Sequence, residues 1–553
     1  MDASSDRLFC CRWVRNKVPT ACRDELYHIL RMTGPLLLSR ILHYLLPFVV
    51  TMFCGRLGND VMAGYGLASA AINVTTAATG CGLGLACDTL VSQTFGGKNL
   101  LRVGVILQRG IIILMLFCLP CWGLLINAEA ILLCLGQEPE VAMFLYNLQV
   151  SYLQNQGIIM PQMYTALLAN IANLTTNYAF LHWMSLGVAG SAAANTLSQI
   201  YICVFLFAYI WWKKLHVNTW GGWSVESLQE WGSYMKLAIP SMLMVCFEWW
   251  VYEFGGFFAG MLSEDELAAQ HAVIMIAFIT YMFPLGIQAA ACARVGNALG
   301  AGDTARALLA SKLSLSLAVS FALVEGVVLG CTKTVIGYIF TSDENIARIV
   351  SDLMTAYCFL QLFDGLCVCT GIFLGTGKQR IPAVANFIAY YCVGLTMSVV
   401  LMFVAKLRVL GFWLGLLICV VLHSTFYIIV IFRLNWKKMT EEVFHLSTSN
   451  NGNVSQLLFL KGQYHVKPTL LSFTSRYNTR VEQEVRQQKS GHLSTTQLII
   501  RRGLTMVTAL AFLAVGTAVH FLVPLPEMGT NSTLDGINTT FTPHTTSSPV
   551  LLK

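Results

Sequence analysis

Three carboxylates sit where an apolar chain can least tolerate them. Glu248 and Glu253 lie within the run Cys246–Gly256, and Asp364 lies between Phe363 and Gly365, each inside a long hydrophobic stretch. A charge at the centre of a bilayer costs about 2.5–3.5 kcal/mol on insertion scales, so such residues persist where they face a cavity or a partner. No Lys or Arg within these stretches offers itself as that partner. A carboxyl group in a low dielectric without a counter-ion can exchange a proton near neutral pH. Aromatic residues surround it in sequence: Trp249, Trp250 and Tyr252, with Tyr281 on the next apolar span. Tyr252 is one helical turn from Glu248 and shares its face. An acid beside aromatic faces suits an organic cation, through charge pairing and cation–π attraction. For Trp249 and Trp250 an interface-anchoring role is equally consistent, and Glu253 lies far enough toward a helix end to be solvated.

The first half of the chain offers amides instead. Asn170, Asn173 and Asn177 recur at helical spacing, as do Asn195 and Gln199 on the following span. They either hydrogen-bond helix to helix or line a polar cavity. Arg40, inside the first span, either snorkels, sits in the cavity, or offsets one carboxylate.

The elements that must position these residues are membrane helices. The chain is 56% hydrophobic and only 11% charged, against about 25% charged in soluble domains. Twelve spans are expected: 33–53, 62–86, 103–126, 158–181, 188–212, 234–260, 267–292, 308–330, 349–375, 381–404, 411–433 and 504–524. Each is about 20 residues or longer, enough to cross a hydrocarbon core as a helix. The fold class is an all-α polytopic membrane protein. Basic residues (Arg7, Arg12, Arg15, Lys17, Arg23, Lys98, Arg102, Lys213, Lys214, Arg306, Lys378, Arg380) cluster at one set of span ends. Acidic ones (Asp60, Glu138, Glu140, Glu264, Asp265, Glu266, Asp343, Glu344) cluster at the other. By the positive-inside bias the N-terminus is cytoplasmic, and no signal peptide precedes the first span.

The chain is duplicated. Thr89–Asn99 and Ala293–Asp303 each close an apolar span and open a short basic loop; Gly157–Pro161 is matched by Gly377–Pro382, and Gly187–Gly190 by Val409–Gly411. Two such bundles with a substrate path between them are a common transporter plan. The repeats are unequal. Gly97 to Gly157 is about 60 residues and Gly300 to Gly377 about 77, a shortfall of about 17, close to one crossing. It falls between Glu140 and Gln156, where fifteen polar-leaning residues make a poor fourth helix. A splice variant, an incorrect gene model or a short buried half-helix would each account for it. The resulting organisation is a cytoplasmic N-terminus (1–32), an N-lobe bundle (33–214, truncated), a C-lobe bundle (215–438), a polar cytoplasmic linker (439–503), an extra helix (504–524) and an extracellular tail (525–553) bearing sequons at Asn531 and Asn538.

Eighteen cysteines are strewn through apolar spans and read as small hydrophobes rather than a disulfide framework; Cys10–Cys11 is a weak palmitoylation candidate. No metal site, catalytic triad or Walker-type loop is visible, so neither an enzyme, a resident cofactor nor direct ATP drive is expected, and nothing suggests nucleic acid.

The runs Ala86–Thr94, Ala238–Met244, Glu248–Trp250, Arg294–Asp303 and Asn435–Lys438 resemble the vertebrate branch of the multidrug and toxin extrusion (MATE) family. The likeness covers about residues 20–440 and the last span. It implies two six-helix lobes with an added C-terminal helix, a multi-pass plasma-membrane address, and exchange of organic cations for protons. Glu248, Glu253 and Asp364 match acidic positions tied to transport, Asp364 replacing the usual Glu; Trp249 and Tyr281 match aromatic positions tied to substrate. Three departures stand out: Met275 where the family has an acid, Arg40 where a Gln is expected, and the missing fourth span. A transport-incompetent variant, or a lipid or glycan flippase of the same architecture, is the alternative.

Overall fold

A computed structural model describes residues 19–57, 72–125, 139–184, 187–340, 343–448 and 493–522. The expected features at Arg7–Lys17, Cys10–Cys11, the start of the second span, most of the linker and the sequon-bearing tail lie outside them. The described residues are almost wholly helical. In the first lobe are α1 (Thr20–Leu57), α2 (Ala78–Gly96, entered through a π-turn at Asn73–Ala77), α3 (Leu100–Leu125), α4 (Pro139–Gln154), α5 (Met160–Tyr178) and α6 (Gly187–Trp212). In the second are α7 (Trp231–Gly260), α8 (Glu264–Gly300), α9 (Thr304–Thr332), α10 (Glu344–Thr376), α11 (Arg380–Val404) and α12 (Arg408–Arg433). Two further helices follow, α13 (Trp436–Thr448) and α14 (Thr495–Leu522). Among the described residues ten helical stretches are long and apolar enough to span a bilayer.

α10 breaks where it carries its acid. Its first segment ends at Asp364, a 3-10 turn covers Gly365–Cys367, and Val368–Thr376 resumes the helix. α11 is locally widened and underwound by π-turns at Phe387–Leu395 and Val400–Val404. π-turns insert an extra residue into a helix and frequently mark functional sites.

The two lobes meet through α1 and α2 on one side and α7 and α8 on the other. The duplicated motifs pack directly on each other at the basic end. A methyl group on Gly96 would strike the backbone of Asn297, and one on Gly300 the carbonyl of Gln93. Only glycine permits the α2 and α8 termini to approach so closely. Bonds across the lobes follow: Thr89 Oγ1 donates to Leu374 O (2.8 Å), Gln93 Nε2 to Gly375 O (2.9 Å) and Gln379 Nε2 to Thr89 Oγ1 (2.6 Å). An ion-paired cluster completes this end. Glu25 on α1 accepts from Arg294 of α8 at 2.6 and 2.7 Å and from Arg306 of α9 at 3.0 Å. Burial pushes the Glu25 carboxyl up, but the two guanidinium groups outweigh it and hold it below the usual carboxylate range.

The segment expected to fail as a helix is helical. α4 is a continuous helix of 16 residues, about 24 Å at 1.5 Å per residue. Its equivalent in the second lobe, α10, runs 33 residues. The polar residues are tolerated because α4 is sheathed by α2, α3 and α6 and presents no exposed residue from Val141 onward. Phe144, Tyr146, Leu148, Val150 and Leu153 fill the core. Asn147 Nδ2 reaches Cys81 Sγ (3.6 Å), Gln149 Nε2 reaches Cys203 Sγ (3.4 Å), and the Tyr152 hydroxyl pairs with Thr219. Interior polar groups bonded to neighbours escape the penalty that lipid would impose.

Residues assigned to the linker begin and end as helix, in α13 and the first turns of α14. α13 is amphipathic: Trp436, Met439 and Val443 are buried while Lys437, Lys438 and Glu441 are exposed. α14 docks on α3, where Gly516 lies against the backbone of Gly123. Its basic end is fixed by Arg502, which donates to Leu228 O (2.9 Å) and lies over the Trp231 ring. Cys87, Cys118, Cys292 and Cys369 are buried and pack in the hydrophobic core.

Candidate functional site: a carboxylate-lined cavity in the second lobe

Glu248 and Asp364 come together. Both line one narrow cavity inside the second lobe, enclosed by α7, α10, α11 and α12, with Thr370, Tyr390, His423, Ser424 and Tyr427. The cavity therefore lies within a lobe rather than between the two. α7 places Glu248 on it, and the break in α10 turns Asp364 toward it. The Tyr281 hydroxyl on α8 donates to Glu248 Oε1 at 2.8 Å. Among the described residues neither acid has a Lys or Arg within ion-pair distance. Both acids line the same narrow cavity, with Tyr390 beside them. Two like charges so placed in a low dielectric cannot comfortably both persist.

The floor of this cavity was not singled out from sequence. Asn386, wholly inside α11, accepts through Oδ1 from Tyr427 Oη (2.6 Å), lies 2.7 Å from His423 Nε2, and donates through Nδ2 to Met244 O (2.9 Å). The His423 and Tyr427 rings stand 4.0 Å apart. Lone polar residues on apolar helices carry no periodicity that would have flagged them.

The remaining expected residues are dispersed. Glu253 is half-buried and hydrogen-bonded to the Asn73 side chain rather than facing Asp364. Trp249 is exposed, and Trp250 donates to Val74 O across the lobes (3.0 Å). Tyr252 packs its ring against Trp413. Asn170 donates to Leu42 O (2.7 Å) and Asn173, fully buried, to Leu46 O (3.2 Å). Both amides thus serve the α1–α5 contact, the helix-to-helix alternative. Met275 accepts weakly from Tyr44 Oη (3.5 Å).

Arg40 exerts a minor attraction on a carboxylate that sequence reading passed over, Asp88 in the first motif. Asp88 also accepts from Asn155 Nδ2 (2.7 Å) and from Ser151. The motif's residues were noted for their repetition, and that concealed the acid among them.

A family model, MatE, matches residues 35–179 and 240–400. The chain belongs to this family of membrane transporters, and is not an enzyme. Multidrug and toxin extrusion protein 1 of Danio rerio is 45% identical over 558 residues, covering 94% of this chain and 95% of that protein. Its Homo sapiens counterpart is 42% identical over 539 residues, covering 91% and 95%. An alignment of 558 positions exceeds the 553 residues of the chain, so the fish MATE carries residues that this chain lacks. Among solved structures, a eukaryotic MATE transporter, AtDTX14, superposes with a TM-score of 0.72 at 24% identity, covering 77% of this chain and all of that one. A Vibrio cholerae MATE transporter gives 0.67 at 16%. Both share the fold.

Proposed function

We propose that the protein is a secondary active exporter that exchanges organic cations for protons across the plasma membrane, with its N-terminus cytoplasmic and its C-terminus extracellular. The observation that carries this reading is the pair Glu248 and Asp364, facing one cavity with a tyrosine hydroxyl and no cationic side chain. Each can carry a proton or balance an organic cation, and not easily both. Protonation from the acidic side discharges the cation; deprotonation on the other side readies the site again. Glu248 is the central acid and Asp364 its partner. Tyr281 orients Glu248, and Tyr252 and Trp249 supply aromatic surface along α7 toward the acidic end, where Glu253 is the outermost acid. Asn170 and Asn173 contribute by fixing α5 to α1. The relatives' names, multidrug and toxin extrusion proteins, agree with this substrate class.

The test uses proteoliposomes of the full chain and a fluorescent organic cation. An acidic trans side is expected to accelerate cation movement. Equal acceleration by a sodium gradient at fixed pH refutes proton coupling.

A further inference from the structure

We propose that Glu325 and Gln361 form a second proton-exchange site, a carboxylic acid paired with a primary amide on the α9–α10 contact, one helical turn before Asp364. The proposal rests on the proton-exchange reading and adds a carboxylate that reading does not use. Glu325 lies on the face of α9 that meets α10. Ala322 and Leu329, at helical spacing from it, are buried, while Leu323, Val324, Val327 and Val328 on the other face are exposed. Gln361 is only 3% exposed. Its Nε2 donates to Glu325 Oε2 at 2.5 Å. Gly326 opens the space for this approach: a methyl group there would come to 3.1 Å from Leu362 Cδ2 and 3.6 Å from Gln361 Oε1.

The bonding is half complete. Glu325 Oε1 and Gln361 Oε1 are both buried acceptors without a hydrogen-bond partner. Two bare acceptors belonging to groups already joined by one bond lack a single thing, a donor between them. A proton on Glu325 Oε1 supplies it, and the pair becomes a doubly hydrogen-bonded acid–amide couple. Unsatisfied buried polar atoms are rare and each calls for a cause. Here one proton removes both. The step is a plain protonation: a hydronium gives its proton to the carboxylate, water departs, and no other bond changes.

The surroundings offer no alternative counter-charge among the described residues. From α10, Glu325 is faced by Tyr357, Gln361 and Asp364, and its charge is felt at Tyr357 and Asp364. Lys333, just past the end of α9, turns away to Thr355 Oγ1, at 3.2 Å. No charged group of α1 or α8 forms an ion pair with it. Asp364 follows Gln361 by three residues on the same helix, so the two sites are neighbours along one face. Glu325 thereby restores an acid to a lobe that carries Met275 at another acidic position of the family.

The experiment is infrared difference spectroscopy on the purified full chain between about pH 8 and about pH 5, a window that brackets exchange near neutrality. The wild-type protein is expected to show carbonyl bands of carboxylic acids appearing as pH falls. Glu325→Gln should remove one component; Gln361→Ala should leave that component but shift its frequency, because the amide bond to it is gone. Glu325→Asp, which keeps the acid, should retain a displaced band. A Glu325→Gln spectrum identical to wild type overturns the proposal. Binding of a fluorescent organic cation is followed on the same samples. If wild type does not release the cation on acidification, the exchange reading fails, while the infrared comparison still decides Glu325.

Discussion

Asp88 in the first lobe is held by Asn155 and Ser151, whereas in the second lobe Glu248 accepts from one tyrosine hydroxyl and, among the described residues, neither it nor Asp364 has a Lys or Arg within ion-pair distance. Both lobes descend from the same six-helix plan, and both carry acids deep in their bundles. What differs is satisfaction. A carboxylate held by amide and hydroxyl donors is fixed in the bundle. One with a single donor is an open site for a proton or cation. The same asymmetry runs through the lining: first-lobe amides donate to backbone carbonyls of α1, while Asn386, His423 and Tyr427 gather under the second-lobe cavity.

The sharpest way to break this comparison is to neutralise one acid in each lobe. Glu248→Gln is expected to abolish pH-driven uptake of a fluorescent cation. Asp88→Asn should keep the pH dependence of whatever uptake remains, since Asn155 and Ser151 already bond that carboxyl and it does not line the second-lobe cavity. Tyr281→Phe, which deletes the one donor to Glu248, should fall between them, at about tenfold, the value of one hydrogen bond to a charged group. Near-normal uptake by Glu248→Gln, or a flat pH profile in Asp88→Asn, would invert the roles assigned to the lobes.

The lobes also differ in one helix. α4 has 16 residues against 33 in α10. Inserting about 17 apolar residues after Val141, the length of one crossing, is expected to raise surface expression and cation uptake several-fold in transfected cells. Equal surface level and uptake before and after insertion would mean that the buried, polar α4 suffices.

These contrasts show why some features were legible in the sequence. Hydrophobic length and the repeated glycine motifs predicted the helices, because lipid imposes span length and close crossing imposes glycine. Glu248 and Asp364 stood out because a bare acid in an apolar run has few structural excuses. α4 misled, since composition alone cannot show that Asn147, Gln149 and Asn155 find partners inside a bundle. Asp88 and Asn386 were missed for a related reason: their meaning lies in α4 and α12, distant in sequence. Glu253 was grouped with the other two acids by proximity along α7, yet its partner is Asn73.

The closure at the basic end offers a further test. Glu25 is 4% exposed and Arg294 14%; Arg306, at 47%, contributes little through solvent. Removing one partner of a buried pair costs about 3–5 kcal/mol. Glu25→Gln should therefore lower the melting temperature at neutral pH by several degrees and favour the state opened at the basic end. The sign with pH follows from the depressed carboxyl. Its stabilisation is complete above the ordinary Glu value of 4.5 and is lost as pH falls through the lower folded value. The wild-type and Glu25→Gln melting curves should thus differ at neutral pH and converge in strong acid. A gap that widens on acidification would show that Glu25 is not held ionised by the arginines.

The smallest effect is expected where the first-lobe amides are truncated. Asn173→Ala removes a bond to Leu46 O on α1 and the acceptor for Asn177 Nδ2 at 2.7 Å. Side-chain hydrogen bonds between membrane helices average about 0.6 kcal/mol. Asn170→Ala should cost about the same. Because these amides position α1 rather than touch the cation, each substitution should lower thermal stability by a few degrees at most and leave the apparent affinity for cations unchanged. The discriminating measurement is KM across several cations in each variant. A substrate-dependent rise in KM would place the amides on the transport path and give the first lobe a share of recognition. An even fall in the amount of folded protein, with KM fixed, keeps recognition in the second lobe, where the unbalanced carboxylates are.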